Sequence, residues 1–366
     1  MMPNPAQPLR SVTLDFRHDD PSVEAAVVRE DLSACEITGS CLWLGCDETT
    51  TIQRLVQADD RRFTNHRSFD LAAAFALPAG SDEEIDIEGF AEDEGFLWLT
   101  GSHSLKRRKP KRRDSAAEAL ERLSEVSASA NRYLLARLPL VPARDGLFEP
   151  AGIGGVVHPQ GRVPACLPMA GGRNPLADAL ARDIHVGRFV DVPSKENGLD
   201  VEGIAAGGQR VFLGMRGPVL RGWAMILELS VAEAQPGRLS PSPIGAHREP
   251  YRKHFLDLDG LGIRDLAFDG EALLILAGPT MDLDGPVRVY RWAEALAADQ
   301  GDIIAGRQIE PILEVPFGEG VDHAEGIALM SDAGAKQLLI VYDSPSPSRL
   351  HENGTAIDAE IFALPA

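Results

Sequence analysis

The chain has 366 residues, 44% of them hydrophobic and 25% charged, with 35 Gly, 26 Pro and a formal net charge of −19. So acidic a balance argues against nucleic-acid binding, and no apolar run approaches the ~20 residues of a membrane span. Four cysteines, at 35, 41, 46 and 166, make neither a disulfide framework nor tightly spaced zinc-ligand pairs, so reduced core thiols and a cytoplasmic address are expected.

In chain order, the polar, Pro-rich stretch Met1 to Arg10 has no apolar core, so no secretory signal is expected. The run Ser11 to Phe16 reads as a strand. A unit then recurs: an acidic residue, usually followed by Gly, a polar turn, and a second apolar run. The first copy, Asp31-Leu-Ser-Ala-Cys, leads into Cys41-Leu-Trp-Leu, with Ser33 in the acidic position. Leu71 to Leu77 is expected to close that module. The second copy is Asp86-Ile-Glu-Gly-Phe-Ala before Phe96-Leu-Trp-Leu, with a third strand at Tyr133 to Leu138 and a fourth at Phe189 to Val192. The third is Asp200-Val-Glu-Gly-Ile-Ala before Val211-Phe-Leu, followed by Ala224 to Leu229 and His254 to Leu258. The fourth is Arg264-Asp-Leu-Ala before Leu273-Leu-Ile-Leu, followed by Val287 to Trp292 and Ile312 to Val315. The fifth is His323-Ala-Glu-Gly-Ile-Ala before Leu338-Leu-Ile-Val, and Ile357 to Leu364 is expected to share its blade with the N-terminal strand.

Short apolar runs bounded by Gly, Asp and Pro, four to a module, predict an all-β chain: a β-propeller of four-stranded blades forming a single domain over 1–366. Five blades are countable from key positions 33, 88, 202, 265 and 325. The double-length interval after 88 leaves room for a sixth or for an insertion, and helical signals over 106–185 favour the insertion. These are the capping box Ser115 to Glu118 and the Asn174-Pro175 helix start.

In a propeller, the starts of the inner strands and the loops after the second strands meet at one face. That gathers Asp31, Ser33, Asp86, Glu88, Asp200, Glu202, Asp265, His323 and Glu325 with Asp47, Glu48, Ser102, His103, Arg216, Thr280 and Asp343. Carboxylates in that number suit Ca²⁺ or another hard divalent cation, and the expected ligands are Glu88, Glu202, Asp265 and Glu325. His103 and His323 are the expected general bases, because imidazole titrates near neutral pH. Arg216, Arg221 and Arg264 could hold an anionic group, as could Lys106 and Arg107 at the head of the run Lys106 to Arg113, in which seven of eight residues are basic.

These parts point to metal-assisted hydrolysis of an anionic small molecule: a phosphoester, an ester or a lactone. The competing expectation is a non-catalytic scaffold that docks a protein or peptide, with the repeated carboxylates bonding backbone N–H groups of adjacent blades. No nucleophile elbow, phosphate-binding loop or dinucleotide fingerprint is present, so no nucleotide cofactor is expected.

Five segments carry a resemblance: Gly101-Ser-His-Ser-Leu-Lys, Pro193-Ser-Lys-Glu-Asn-Gly-Leu-Asp-Val-Glu-Gly, Arg216-Gly-Pro-Val-Leu-Arg-Gly-Trp-Ala, Gly262-Ile-Arg-Asp-Leu and Leu274-Ile-Leu-Ala-Gly-Pro-Thr-Met. Over roughly residues 30 to 345 the chain resembles a bacterial domain-of-unknown-function family, number 3616. That family is grouped with β-propellers, so the resemblance implies the same fold. The Glu-Gly-Ile/Phe-Ala repeats are more distantly similar to esterase-like phytase propellers. The resemblance assigns no catalytic residues.

Overall fold

The computed structural model describes residues 5–17, 25–281, 283–298, 300–332, 334–352 and 354–365. The first four residues of the polar N-terminal stretch lie outside that set.

The strands build five antiparallel blades. Blade 1 runs Leu32–Thr38, Cys41–Cys46, Thr51–Asp59, Arg62–Asp70. Blade 2 is Ile87–Asp93, Phe96–Gly101 and Leu135–Pro142, edged by the short strands Phe148–Pro150 and Ala165–Cys166. Blade 3 is Asp200–Gly207, Arg210–Leu220, Trp223–Gln235, Arg252–Asp257. Blade 4 is Gly262–Asp269, Ala272–Gly278, Val287–Trp292, Ile309–Val315. Blade 5 is His323–Asp332, Ala335–Asp343, Ala356–Ala363, with the N-terminal strand Arg10–Asp15 as its fourth member. The chain is a β-propeller.

The first strand of each blade lies beside the first strands of both neighbours, closing a ring around a channel. Apolar side chains fill each of the five gaps between blades. Trp43 and Phe90 meet between blades 1 and 2, and Trp98 and Met225 between 2 and 3. Phe212 and Trp292 lie between 3 and 4, Leu274 and Tyr342 between 4 and 5, and Leu14 and Leu44 between 5 and 1. A side chain on an inner strand therefore packs into a gap unless something re-aims it toward the channel.

Glycine after the acidic residue serves this ring. A Cβ on Gly89 would lie 2.7 Å from the backbone N of Ile204. One on Gly203, whose φ is +96°, would lie 2.6 Å from Cα of Asp265. The glycine admits the neighbouring blade's backbone.

The long interval is an insertion. Between the second and third strands of blade 2 stands a two-stranded ribbon, Lys106–Arg107 with Val126–Ser127, enclosing the helix Ala116–Ser124 with the expected Ser115/Glu118 capping box. The helix Pro175–Leu180, capped by Asn174, packs Leu176 and Leu180 into the gap between blades 2 and 3. Two expected strands are absent. Leu71 to Leu77 begins with a 3₁₀ turn, Leu71–Ala73, and Phe189 to Val192 is a turn. Both are apolar because they cover the core. The true fourth strand of blade 1, Arg62–Asp70, faces water and buries chiefly Phe63 and Phe69, so its hydrophobic signal is weak. Among the described residues no helix is long and apolar enough to cross a membrane, and all four cysteines are free thiols.

Candidate active site at the channel mouth

Every inner strand breaks register at its mouth end. The shift falls between Leu32 and Ala34, Ile87 and Gly89, Val201 and Ile204, Ile263 and Asp265, and Ala324 and Gly326. A bulge leaves one residue unpaired and turns its side chain out of the pleat. The bulged positions are Ser33, Glu88, Glu202 with Gly203, Arg264 and Glu325. Blade 4 thus offers Arg264 to the mouth where Asp265 was expected.

One residue along, Asp265 points the other way. Its Oδ1 accepts from the N–H of Leu266 at 2.8 Å and its Oδ2 from the N–H of Ile327, on blade 5, at 2.7 Å. Both oxygens are engaged by backbone, so Asp265 is removed from the expected metal ligands.

Arg264 lies between two of the ring's glutamates, with Nη1 2.5 Å from Oε1 of Glu325 and 3.4 Å from Oε2 of Glu202. Arg216 donates to Oε1 of Glu202 at 2.6 Å and to the carbonyl of Thr280 at 3.1 Å, and stands 3.9 Å from Asp200. Both guanidiniums thus neutralise the protein's own acids. Arg221 occupies an exposed turn with φ +53°, away from the cavity. For Arg216, Arg221 and Arg264 the expected substrate-binding role does not follow from their surroundings.

Blades 1 and 2 differ. Asp47, which follows the second strand of blade 1, meets Asp86 and Glu88 at the start of blade 2, with one oxygen from each within 4.8 Å of the others. Arg132 forms an ion pair with Asp86 at 3.0 Å from Oδ2, pairs closely with Glu84 and donates to Ser104 Oγ at 3.1 Å. Oδ1 of Asp47 is buried without a hydrogen-bond partner. Glu88 is only 9% exposed, and among the described residues its carboxylate has no hydrogen bond or ion pair. Burial, reinforced by the neighbouring carboxylates, pushes Asp47, Glu88 and Asp200 well above the ordinary carboxylate range. Burial also raises Asp86 and Glu325, the latter against the pull of Arg264, and takes Asp31 to about 6 with help from Asp343.

Above this floor is a cavity of about 920 Å³, lined by Glu88, Glu202, Glu325 and Arg216 below and by Lys106, Arg107, Lys109 and Lys195 on its wall. Of its lining residues only Val126 and Pro193 are apolar. Most small-molecule pockets are lined mainly by apolar residues, so the charged heads here favour a ligand bearing charged or polar groups, while the aliphatic stems of the Lys and Arg side chains leave part of the wall apolar. Lys106 sits 3.4 Å from Glu84 and 4.0 Å from Glu48, and Arg107 pairs with Glu196.

His103 does not reach the cavity. It is 1% exposed, its Nδ1 bonds the carbonyl of Gly101 and its Nε2 meets the Asn174 amide, each at 2.8 Å. Burial lowers its pKa to about 4, and its role as a base is withdrawn. A depressed imidazole keeps its stabilisation above the unfolded-state value near 6.5 and loses it as pH falls toward the folded value near 4. Over that window the unfolding free energy should drop by up to about 3 kcal/mol from this group. His103→Gln should flatten that part of the stability–pH curve measured by urea titration. His323 stands at the rim, 3.5 Å from Asp284 and 3.9 Å from Asp343, and the nearby Asp343 carboxylate raises its pKa against the effect of burial.

The floor thus adds Asp47, Asp86 and Arg132 to the expected residues. Asp47 and Asp86 were legible as members of the face. Arg132 carried no signal beyond its charge.

The family model described as "Protein of unknown function (DUF3616)" matches residues 31–359. No curated protein matches the sequence. Among solved structures, glutaminyl cyclase from Myxococcus xanthus is 8% identical with a TM-score of 0.40, over 98% of this chain and 97% of its own. The PQQ-bound aldose sugar dehydrogenase of Streptomyces coelicolor is 13% identical with a TM-score of 0.34, over 98% and 100%. An exo-β-1,3-galactanase from Phanerochaete chrysosporium is 9% identical with a TM-score of 0.39, over 91% and 60%. At such scores none of their activities transfers to this chain.

Proposed function

The chain belongs to the DUF3616 family, and from the geometry of its channel mouth we propose that it is a metal-assisted hydrolase of an anionic small molecule. One observation carries this reading: three carboxylates converging on one point, with a single guanidinium beside them, face a basic wall across a cavity lined almost wholly by polar and charged residues. A divalent cation on the floor would polarise the scissile phosphoryl or acyl oxygen and lower the pKa of an attacking water. Lys106 and Arg107, on the wall, would meet the substrate's negative charge.

The test is turnover. Chelator-treated protein should be inactive against phosphomonoesters, phosphodiesters, carboxyl esters and lactones, and should gain activity on at least one class when Ca²⁺, Mg²⁺ or Mn²⁺ is restored. Lys106→Ala should raise KM by about tenfold with little change in kcat. Absence of turnover on every class with every cation would sink the proposal and favour a docking scaffold.

A further inference from the structure

We infer that Asp47, Asp86 and Glu88 form the site of one hard divalent cation, Ca²⁺ in preference to Mg²⁺. Its part in turnover rests on the hydrolase reading; its binding does not.

The case begins with the ring of bulged residues. On blades 3 to 5 the acids at the mouth come with their own cations: Glu202 and Glu325 share Arg264, and Glu202 also holds Arg216. On blades 1 and 2 the bulged residues are Ser33 and Glu88. Ser33 turns its hydroxyl to the carbonyl of Ile87 at 2.5 Å and brings no charge. Glu88 is nine-tenths buried, lines the cavity and has no partner among the described residues. Asp47 adds a buried, unbonded oxygen from the adjacent blade. Arg132 pairs with Oδ2 of Asp86, and the Ser102 hydroxyl also stands against that carboxylate. Three carboxylates therefore converge on one point with one guanidinium beside them, and Lys195 on the cavity wall offsets Asp47 only in part.

The chemistry of the donors selects the ion. They are oxygen only, with neither imidazole nor thiolate, which suits Ca²⁺ or Mg²⁺ over zinc or copper. Carboxylates ligating through one or two oxygens supply about three to six donors, and water from the cavity can complete the shell. That irregular, adaptable set fits Ca²⁺ better than the strict octahedron of Mg²⁺.

Binding can be read without substrate. Chelator-treated protein titrated with Ca²⁺ in a calorimeter should take up one equivalent with a Kd of about 10⁻⁶–10⁻³ M. Ca²⁺ should also raise the unfolding midpoint, as any ligand of the folded state does. In Asp47→Asn/Glu88→Gln, affinity should fall at least about 30-fold and the Ca²⁺-induced shift should vanish. The ion-free midpoint of that variant should match or exceed the parent's, because two repelling charges are gone, so a failure to fold cannot pass for lost binding. Asp82→Asn/Glu94→Gln, which removes two exposed charges, should bind as the parent does. No uptake by the parent, or undiminished uptake by Asp47→Asn/Glu88→Gln, would overturn the site. Uptake without turnover would uphold it while the hydrolase reading falls.

Discussion

Deletion of residues 1–17 is expected to leave the protein unable to hold its fold at room temperature, with loss of the cooperative unfolding transition and aggregation on gel filtration. The strand Arg10–Asp15 is the outer strand of blade 5, paired from Arg10↔Ile361 to Asp15↔Ala356, and it also touches blade 1 through Thr13↔Arg62 and Leu14↔Phe63. Continuous in the chain with blade 1 and hydrogen-bonded into blade 5, it joins the two ends of the ring. Val12, Leu14 and Phe16 are buried in the gap between blades 5 and 1. At about 1.5–3 kcal/mol each, their loss removes roughly 5–9 kcal/mol, comparable to the whole stability of an ordinary domain. The deletion also bares the edge of Ala356–Ala363 as a template for strand addition. A truncated chain that stays monomeric, with its midpoint within about 3 °C of the parent, would contradict this account of closure.

Asp265→Asn should lower the unfolding free energy by about 2–4 kcal/mol while leaving cation affinity unchanged. The native carboxylate satisfies two buried N–H groups, of Leu266 on its own blade and Ile327 on the next. An amide offers one acceptor and presents its NH₂ to the second donor, and a buried orphaned polar group costs about 1–3 kcal/mol, with further loss from donor facing donor. Chemical denaturation paired with Ca²⁺ calorimetry separates the two roles. Were Asp265 a ligand, affinity would fall and stability would hold.

That pair of outcomes also shows how far the sequence could be read. Ring closure and the shared face follow from a repeat whose apolar runs and glycines are visible along the chain, because packing between blades imposes the same pattern on each; five blades are countable, and the double-length interval leaves a sixth open. The insertion was legible through its capping box at Ser115 and its Asn174 cap. What escaped was one residue of register. Arg264-Asp265 holds two charged residues, and no local feature says which takes the bulge. Position 265 keeps the same distance to its second strand as Glu88 and Glu202 do, yet the bulge falls on Arg264. The slip exchanged an anchor for a mouth residue. His103 misled for a related reason. It follows the second strand near the face, but it carries a φ of +55° and turns inward to Asn174, a partner 71 residues away that no spacing announces.

The same geometry divides the acidic repeat into two functions. Glu202 and Glu325 are neutralised within the ring, Asp265 bonds backbone across a blade boundary, and Glu88 with Asp47 and Asp86 is left for an ion. The most direct test is a crystal grown with Mn²⁺ as a Ca²⁺ surrogate and measured at a wavelength where manganese scatters anomalously. The account predicts one strong peak at the channel mouth, within about 2.0–2.6 Å of oxygens from Asp47, Asp86 and Glu88. A mouth without a peak, or a peak seated on Glu202 and Glu325 in place of their arginines, would contradict it.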